Sequence, residues 1–355
     1  MSRLATSPLT VLPTASFQIP EASGETRLVD AFGRRLTYLR VSVTDRCNLR
    51  CHYCLPADAQ LPLGDRAFLT PDEIERIVGA LVRLGIRRVR LTGGEPLVRR
   101  DILEIVRRVK NLPGVENLAL STNGTELTRL APALAEAGVD RVNISLDSLD
   151  PEVFRAITRN GDLDEVWRGV EAALAAGLDP VKLNAVLLKD NQEDVERLVA
   201  LTLDQPLAVR FIEMMPTASN RHLQPDEYVS ADLARRRIEE RFGPLQPVGA
   251  DEAGPRTGPA KAFRLPGAVG TVGFITPLSH TFCAECNRLR LTARGELRLC
   301  LFADRVYPLR PLLAAADPDV ALETEILRVL QEKPAEHMLT QGDFGNLMSF
   351  MQIGG

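Results

Sequence analysis

The sequence predicts an α/β protein built on a partial (β/α)6 barrel of the TIM type. Two observations predict it. Short β-branched runs alternate with longer amphipathic segments from Leu36 to about Pro216, which indicates successive βα units and a parallel sheet. Polar residues also share one face of run after run. We predict six strands, at residues 36–43, 87–92, 116–121, 140–146, 180–187 and 207–213.

Helix start signals separate these strands. After the first strand, Thr70 is a good N-cap, Pro71 suits the first helical position, and acidic residues follow in the first turn. Asp150 and Pro151 repeat the pattern after the fourth strand. Both segments are therefore predicted to open helices that cover the sheet.

The polar face of the strands predicts a ligand inside the barrel. Closed barrels fill their interior with branched apolar side chains and place the active site at the carboxyl ends of the strands. Some of the polar groups are still expected to face solvent or to cap helices. The groups that share a face are Arg40, Ser42 and Thr44; Arg90 and Thr92; Ser121 and Asn123; Asn143, Ser145 and Asp147; Lys182 and Asn184, with Arg210 on the sixth strand.

Composition narrows the class of protein. A chain of 355 residues with 45% apolar and 25% charged residues can bury one large core and carry a smaller appended unit. The formal charge of -4, from 43 basic and 47 acidic residues, gives no net basic field to hold nucleic acid. A polyanionic ligand must therefore meet arginines that are placed locally, and a soluble enzyme is the expected class.

The chain divides into three predicted regions. Residues 1–25, rich in Ser, Thr, Pro and Ala, are expected to form a disordered extension; an organellar transit peptide is a weaker interpretation, because it has one arginine. Residues 26–243 form the barrel. Residues 244–355 form a second region, with strand-like runs at 261–265 and 270–275 and helical segments near 310–332.

We expect a cytoplasmic protein with no membrane partner. Pro8 and Pro13 interrupt any signal-peptide core, and no later run reaches the roughly 18 apolar residues of a membrane span. The cysteines then face a reducing compartment, where metal ligation or catalysis is favoured over disulfides.

The first cysteine triplet lies in TDRCNLRCHYCLP, directly after the first strand. Cys47, Cys51 and Cys54 provide three thiolates, the usual iron-sulfur ligands. Three ligands leave one iron of a four-iron cluster open to another molecule. His52 offers the alternative of a closed Cys3His zinc site. Spacing alone does not decide between the two metals.

The second triplet consists of Cys283, Cys286 and Cys300. The segment between the last two resembles a hairpin with its turn at residues 293–296, which would return Cys300 beside the first pair. His280 could complete a zinc ribbon, and taken alone the C-x2-C pair favours zinc.

Several motifs together resemble a known family. The C-x3-C-x2-C spacing with Tyr53, and LTGGEP at residues 91–96, resemble the radical S-adenosylmethionine (SAM) superfamily. Both triplets, SLD at 145–147, RFIEMM at 210–215, CNRLRL at 286–291 and the terminal Gly-Gly resemble the GTP 3',8-cyclase family of molybdenum cofactor biosynthesis. The resemblance runs from about Thr26 to Gly355.

The resemblance implies a lyase that carries out the first step of that pathway. It would convert GTP to 3',8-cyclo-7,8-dihydroguanosine 5'-triphosphate through a 5'-deoxyadenosyl radical that abstracts the ribose 3' hydrogen. The implied cofactors are S-adenosyl-L-methionine and two [4Fe-4S] clusters, one on each cysteine triplet. The second would lie in the C-terminal region, with its open iron on the guanine.

The resemblance also implies roles for single residues. Ser121 stands where the family often has threonine, and it keeps the hydroxyl. The implied cofactor-binding residues are Tyr53, Gly94, Ser145 and Met215; the substrate-binding residues are Arg40, Arg90, Ser121, Lys182, Arg288 and Arg290; and the catalytic residues are Arg288, Arg290, Gly354 and Gly355.

The implied partners are small molecules and other pathway proteins. A reductant such as flavodoxin or ferredoxin would supply electrons, cyclic pyranopterin monophosphate synthase would receive the product, and a homodimer is allowed. Two rival functions stay open at this point. One is another two-cluster radical SAM enzyme, such as a peptide-modifying type, although those usually need more C-terminal cysteines. The other is a non-enzymatic zinc-binding scaffold.

Overall fold

The computed structural model of the chain describes residues 26–55, 68–217, 220, 227–249, 258–337 and 350–352. The predicted extension 1–25 and the terminal glycines lie outside these residues. The described strands are β1 Tyr38–Ser42, β2 Arg88–Thr92, β3 Asn117–Thr122, β4 Arg141–Ser145, β5 Lys182–Leu187, β6 Ala208–Glu213, β7 Gln246–Pro247, β8 Lys261–Arg264, β9 Thr271–Ile275, β10 Arg288–Leu291, β11 Glu296–Arg298 and β12 Tyr307–Pro308. The described helices are α1 Pro71–Arg83, α2 Ile102–Lys110, α3 Leu127–Glu136, α4 Pro151–Thr158, α5 Leu163–Ala175, α6 Asp194–Asp204, α7 Ala231–Phe242 and α8 Pro318–Leu330.

The strands β1 to β6 are parallel neighbours in sequence order, as predicted, and helices lie between them. The predicted α/β class with parallel βα units is therefore confirmed. The sheet continues further than the sequence suggested, because β10 pairs in parallel with β1 and β9 pairs in parallel with β6. Segments from the last third of the chain thus flank both edges of the six strands.

Antiparallel strands extend the sheet at its two ends. The strand β11 pairs with β10, and the predicted hairpin between Cys286 and Cys300 is confirmed, with Gly295 in the left-handed region of its turn. The strand β8 pairs with β9 on the opposite side. The order in the sheet is β12, β11, β10, β1, β2, β3, β4, β5, β6, β9, β8, β7.

Local sequence explains where the helices begin. The Thr70 hydroxyl accepts from the Glu73 amide at 3.2 Å, and the Glu73 carboxylate accepts from the Thr70 amide at 2.8 Å, which completes a capping box. The Asp150 carboxylate caps α4 in a similar way, by accepting from the amides of Glu152 and Val153. Both predicted helix starts are present.

Alternation along the strands separates an apolar face from a polar one. In β2, Val89 and Leu91 are buried in the main hydrophobic core, while Arg90 and Thr92 between them face the opposite side. The amphipathic helices pack their buried apolar faces onto the face of the sheet that carries Val89 and Leu91. The face that carries Arg90 and Thr92 holds the polar groups. Within the described residues, no helix combines the length and the hydrophobicity needed to cross a bilayer.

Candidate active site

A cavity of about 330 Å³ lies on the polar face of the sheet, and all six cysteines line it. Lys182 does not line the cavity, although it is buried on β5 beside it. Gly354 and Gly355 lie outside the described residues. The other residues to which the sequence assigned roles line the cavity: Tyr53, Gly94, Ser145, Met215, Arg40, Arg90, Ser121, Arg288 and Arg290.

Strand register places the two cysteine triplets near opposite ends of the cavity. The first triplet follows the carboxyl end of β1, beyond Ser42. The second lies at the start of β10, where Arg288 is level with Tyr38 at the opposite end of β1. The four residue steps from Tyr38 to Ser42 correspond to about 13 Å along the strand. Side chains of β1, β2 and β10 line the cavity between the two triplets.

The carboxyl end of α4 holds the loop of the first triplet. The amides of Arg50 and His52 donate to the carbonyls of Thr158 and Ile157 at 3.2 and 2.9 Å. Arg159, the cap residue of α4, adopts a positive φ of 66° and donates to the carbonyls of Arg50 and Leu55 at 3.1 and 2.9 Å. This strained residue braces the cysteine loop at its middle and at its carboxyl end.

The two glycines of LTGGEP let the segment before the cysteine loop come close to β2. The Gly94 amide donates to the Thr44 carbonyl at 2.8 Å, and a Cβ at Gly94 would lie 2.3 Å from the Arg46 carbonyl oxygen. A Cβ at Gly93 would lie 2.5 Å from the Thr44 carbonyl oxygen. Side chains at these positions would push the loop away.

Burial favours the thiol form of two cysteines of the first triplet, Cys47 and Cys51. It raises the pKa of Cys47 to about 12, with a contribution from Glu95, and it raises the pKa of Cys51 well above its ordinary value, with a contribution from Asp147. A metal core supplies the positive charge that makes thiolates stable in such a place. The donor set therefore fits an iron-sulfur cluster.

Tyr53 and Asp147 connect the cysteine loop to β4 and β5. The Tyr53 hydroxyl donates to the Asp147 carboxylate at 2.9 Å, and the Val186 amide donates to the same carboxylate at 2.8 Å. Burial raises the pKa of Asp147 to about 6, although these hydrogen bonds oppose the shift. Met215 lines the cavity nearby and packs against Phe302 and other apolar residues.

Two buried cations brace the second triplet through backbone carbonyls. Arg34 donates to the Cys283 carbonyl at 2.9 Å, to the Pro334 and Ala335 carbonyls at 2.6 and 2.7 Å, and to the Asp30 carboxylate. The Lys333 ammonium donates to the carbonyls of Arg288 and Leu299, at the bases of β10 and β11. The segment after α8 is thereby fixed beneath the hairpin that carries the cysteines.

Neither histidine that could complete a zinc site faces the cavity. The His52 imidazole lies 4.0 Å from the Asp190 carboxylate, and the His280 imidazole lies 3.2 Å from the Asp232 carboxylate. Among the described residues, no three His, Cys, Asp or Glu side chains converge on a position for one metal ion. Neither His52 nor His280 therefore lines the cavity with the cysteines, as a fourth zinc ligand would.

Arginines outnumber carboxylates among the described charged side chains that line the cavity. Burial lowers the pKa of Arg40 and of Arg210 to about 10 and that of Arg290 well below its usual range, and repulsion among the arginines adds to the shift. In the described part of the chain, Arg90 and Arg210 form no ion pair with a carboxylate. The wall is therefore built to receive an anion of several charges.

Burial also acts on Lys182, which lies on β5 beside the cavity. It lowers the pKa of Lys182 to about 6, with contributions from Arg210, Arg141 and Arg90. The predicted substrate-binding residue thus lies within the field of the arginines without lining the cavity.

Two asparagines line the same cavity with acceptors that lack a partner. The buried side-chain oxygens of Asn143 and Asn184 have no hydrogen bond within the described residues. A ligand that brings hydroxyl or amino donors would satisfy them. Their position on the polar face of the strands was apparent from the sequence, as was that of Arg210, yet no site role was assigned to the three.

Other residues of the site gave no local signal. Arg34, Arg159 and Lys333 act on backbone carbonyls that are distant in sequence, so no motif marks them. Tyr38 lines the cavity from the start of β1 and precedes the polar alternation recognised there.

Comparison with known proteins agrees with this geometry. A model described as the radical SAM superfamily matches residues 41–202, and one described as Molybdenum Cofactor Synthesis C matches residues 207–339. The chain is also similar in fold to the crystal structure of Streptococcus suis SuiB bound to S-adenosylmethionine. That comparison has a TM-score of 0.59 at 16% identity and covers 84% of this chain and 68% of that chain, so it bears on the fold alone.

Curated relatives are far more similar in sequence. The chain is 49% identical to the GTP 3',8-cyclase of Heliobacterium modesticaldum over 334 residues, which cover 92% of this chain and 100% of the relative. It is 45% identical to the GTP 3',8-cyclase of Pseudomonas entomophila, with coverage of 92% and 98%. The resemblance seen in the sequence is confirmed, and the chain belongs to the GTP 3',8-cyclase family of the radical SAM superfamily.

Proposed function

We propose that this chain is a lyase that converts GTP to 3',8-cyclo-7,8-dihydroguanosine 5'-triphosphate, the first step of molybdenum cofactor biosynthesis. One observation carries the proposal: two cysteine triplets near opposite ends of a single cavity are separated by a wall of arginines. A nucleoside triphosphate has a base that can reach one end, an anionic chain for the arginines, and a ribose between them. Family membership supplies the identity of the base and of the reaction.

The cofactors are S-adenosyl-L-methionine and two [4Fe-4S] clusters. Cys47, Cys51 and Cys54 hold the first cluster, and Cys283, Cys286 and Cys300 hold the second. When bound, these groups supply a 5'-deoxyadenosyl radical that removes the ribose 3' hydrogen, and an open iron that binds the guanine. The residues that hold S-adenosylmethionine are Tyr53, Gly94, Ser145 and Met215, all of which line the cavity.

The protein's own part is to bind, orient and enclose. Arg40, Arg90 and Ser121 bind the triphosphate together with Lys182, since guanidinium groups form paired charge-assisted hydrogen bonds with phosphate. Arg288 and Arg290, two apart on β10, direct their side chains into the cavity beside the second triplet and act on the reacting nucleoside. Fixing the ribose between the two ends turns a reactive radical into a selective one.

The decisive test is anaerobic turnover by reconstituted protein. Dithionite, S-adenosylmethionine and one nucleoside triphosphate at a time are supplied, and both 5'-deoxyadenosine and the cyclised purine are measured. GTP alone should give the two products in matching amounts. If GTP gives 5'-deoxyadenosine without a cyclised purine, the assigned reaction is wrong.

Metal analysis separates this function from a zinc scaffold. Anaerobically purified or reconstituted protein should be brown, with about eight irons per chain and acid-labile sulfide. A colourless protein with stoichiometric zinc and no labile sulfide would instead support the scaffold. Substitution of all three cysteines of one triplet should leave about four irons, which assigns one cluster to each triplet.

The terminal Gly354 and Gly355 complete the proposed catalytic set. Terminal glycines are usually frayed and inert, whereas the resemblance to the family implies that these two enter the active site, where they bring no side chain to obstruct it. Deleting both should leave iron content and GTP binding nearly unchanged and abolish cyclisation. Full activity of the truncated chain would contradict the role.

The proposed partners follow from the chemistry. A reductant such as flavodoxin or ferredoxin supplies electrons to the first cluster, and cyclic pyranopterin monophosphate synthase receives the product in the cytoplasm. A homodimer is compatible with these roles. Replacing dithionite with a flavodoxin or a ferredoxin reduction system in the turnover assay tests the electron donor directly. If neither system supports product formation, the proposed reductant is wrong.

A further inference from the structure

Tyr38 is a buried phenol within the arginine wall. It opens β1, its side chain lines the cavity, and it is 4% exposed. Strand register places it level with Arg288 on β10 and with Arg88 on β2. Neither the sequence motifs nor the proposed catalytic set assigns Tyr38 a role.

The hydroxyl of Tyr38 fixes one edge of a phosphate-binding arginine. The Arg90 Nε–H donates to the Tyr38 hydroxyl oxygen, and Arg90 Nη1 donates to the Ser121 hydroxyl at 3.1 Å. Arg90 is 4% exposed and has no carboxylate partner within the described residues. With Nε held, the guanidinium plane is fixed and its remaining N–H groups can be directed at a ligand.

We propose that Tyr38 is a positioning residue for polyphosphate recognition, whose hydroxyl oxygen holds Arg90 in the orientation that receives the triphosphate of the substrate. The proposal rests on the proposed function, because it takes GTP as the ligand. Phenylalanine at this position would keep the packing of the ring and release Arg90 Nε.

The surroundings of Tyr38 couple this role to pH. Burial opposes ionisation, but Arg90, Arg40 and Arg141 outweigh it and lower the pKa of Tyr38 to about 8. An incoming triphosphate repels a phenolate and raises this pKa, so binding takes up a proton and the affinity for GTP falls as pH rises through about 8. Among the described residues, the charged side chains that interact with the phenol are Arg40 on β1, Arg90 on β2, Arg141 on β4 and Arg210 on β6, and those level with it on neighbouring strands are Arg88 and Arg288; all are cations.

The test compares Tyr38→Phe with the unchanged chain by calorimetry on the anaerobically reconstituted, full-length protein. GTP and guanosine are the two probes. Loss of a hydrogen bond to a charged group should weaken GTP binding about tenfold and leave guanosine binding within about twofold. Tyr307→Phe is the matched control, because its buried phenol bonds to Glu332 at 3.0 Å outside the cavity and should affect neither probe.

Two further readouts separate positioning from a structural effect. In an Arg90→Met background, Tyr38→Phe should have little additional effect on GTP affinity, since methionine has no N–H group for the hydroxyl to hold. Between about pH 7 and 9, GTP affinity should fall less steeply in Tyr38→Phe than in the unchanged chain. Lys182 is present in both proteins, so its titration cancels in this comparison.

The outcomes are distinct. If the unchanged chain binds no GTP, the proposed function fails. If it binds GTP and Tyr38→Phe binds GTP equally well, or weakens GTP and guanosine alike, the positioning role is wrong while the function stands.

Discussion

The affinity for GTP is expected to depend on pH through the single residue Lys182. Burial and nearby arginines lower its pKa to about 6. A bound triphosphate stabilises the ammonium, so the pKa is higher in the complex. At pH values between the pKa of Lys182 in the free chain and its pKa in the complex, the protein takes up a proton when GTP binds. The affinity for GTP therefore falls as pH rises from about 6. Calorimetry in buffers of different ionisation enthalpy should therefore detect proton uptake at about pH 7.

Substitution separates this uptake from other sources. Lys182→Met should take up fewer protons on binding GTP and should weaken binding most at low pH, where the ammonium is present. Lys110→Met is the control, because Lys110 forms an ion pair with Asp140 at 2.8 Å away from the cavity. Equal proton uptake by the chain with and without Lys182 would rule out the linkage.

Arg34 is expected to hold the second cluster in place. Its guanidinium donates to the carbonyls of Cys283, Pro334 and Ala335, and each such bond to a charged group contributes about 1.5 to 3 kcal/mol. Arg34→Ala should lose iron mainly from the second triplet and retain about four irons per chain. Iron analysis and electron paramagnetic resonance of the remaining cluster measure the loss.

The comparison for this variant is Arg129→Ala. Arg129 pairs with Glu126 on the surface of α3, where its side chain is 68% exposed, so its removal should change iron content little. Retention of about eight irons in Arg34→Ala, with unchanged spectra, would show that the loop keeps its shape without this clamp.

At the residue scale, the sequence predicts groups that belong to motifs or to a periodic face. Cysteine spacing led to the six cysteines that line the cavity, and same-face alternation led to polar lining residues such as Arg40, Arg90 and Asn143. Arg34 and Arg159 escaped because their partners are main-chain carbonyls, which carry no sequence signature. The substrate role of Lys182 stays a prediction, since its side chain is buried beside the cavity and does not line it.

At the scale of elements, the contact between β2 and the cysteine loop depends on Gly94. A Cβ there would lie 2.3 Å from the Arg46 carbonyl oxygen, well inside contact distance, so the backbone must move. Gly94→Ala should displace the loop, lower the melting temperature and reduce iron on the first triplet while the second keeps its share. Thermal unfolding and cluster-specific spectra report the two effects.

Gly79→Ala is the control for Gly94→Ala, because position 79 has room for a Cβ. In α1, a Cβ at Gly79 meets its nearest neighbour at 3.5 Å, an ordinary contact, and alanine favours helix. Gly79→Ala should keep both clusters and stay equally stable or gain stability. If Gly94→Ala behaves in the same way, the close approach of the loop does not require glycine.

The six barrel strands were predictable because each carries its own alternation and is followed by a helix start. The pairing of β10 with β1 was not, because strands some 250 residues apart share no local pattern. The hairpin between Cys286 and Cys300 was expected, but nothing in its sequence indicates that β10 pairs with β1. Parallel neighbours are fixed by tertiary packing rather than by turn chemistry.

At the scale of the whole molecule, this pairing makes the barrel dependent on the C-terminal region. A fragment that ends at Gly243 lacks β9 and β10, so β1 and β6 become open edges of a parallel sheet. We expect the fragment to aggregate or to remain partly unfolded when expressed alone. Gel filtration and circular dichroism test this.

Co-expression of residues 244–355 provides the complement. If the open edges of β1 and β6 cause the fragment to aggregate, the polypeptide of residues 244–355 should restore its solubility by supplying β9 and β10. A soluble, cooperatively folding fragment without it would instead identify residues 26–243 as an autonomous domain.

The crowded cations of the cavity wall also bear on how long the enzyme survives in a cell. Mutual repulsion and desolvation of Arg40, Arg210 and Arg290 destabilise the empty fold, and the charge of a bound polyanion offsets both. Ligand at 100 times its dissociation constant adds about 2.7 kcal/mol of stability. Proteases that capture transiently open chains therefore meet the unliganded enzyme first, and the nucleotide supply sets its turnover as well as its activity.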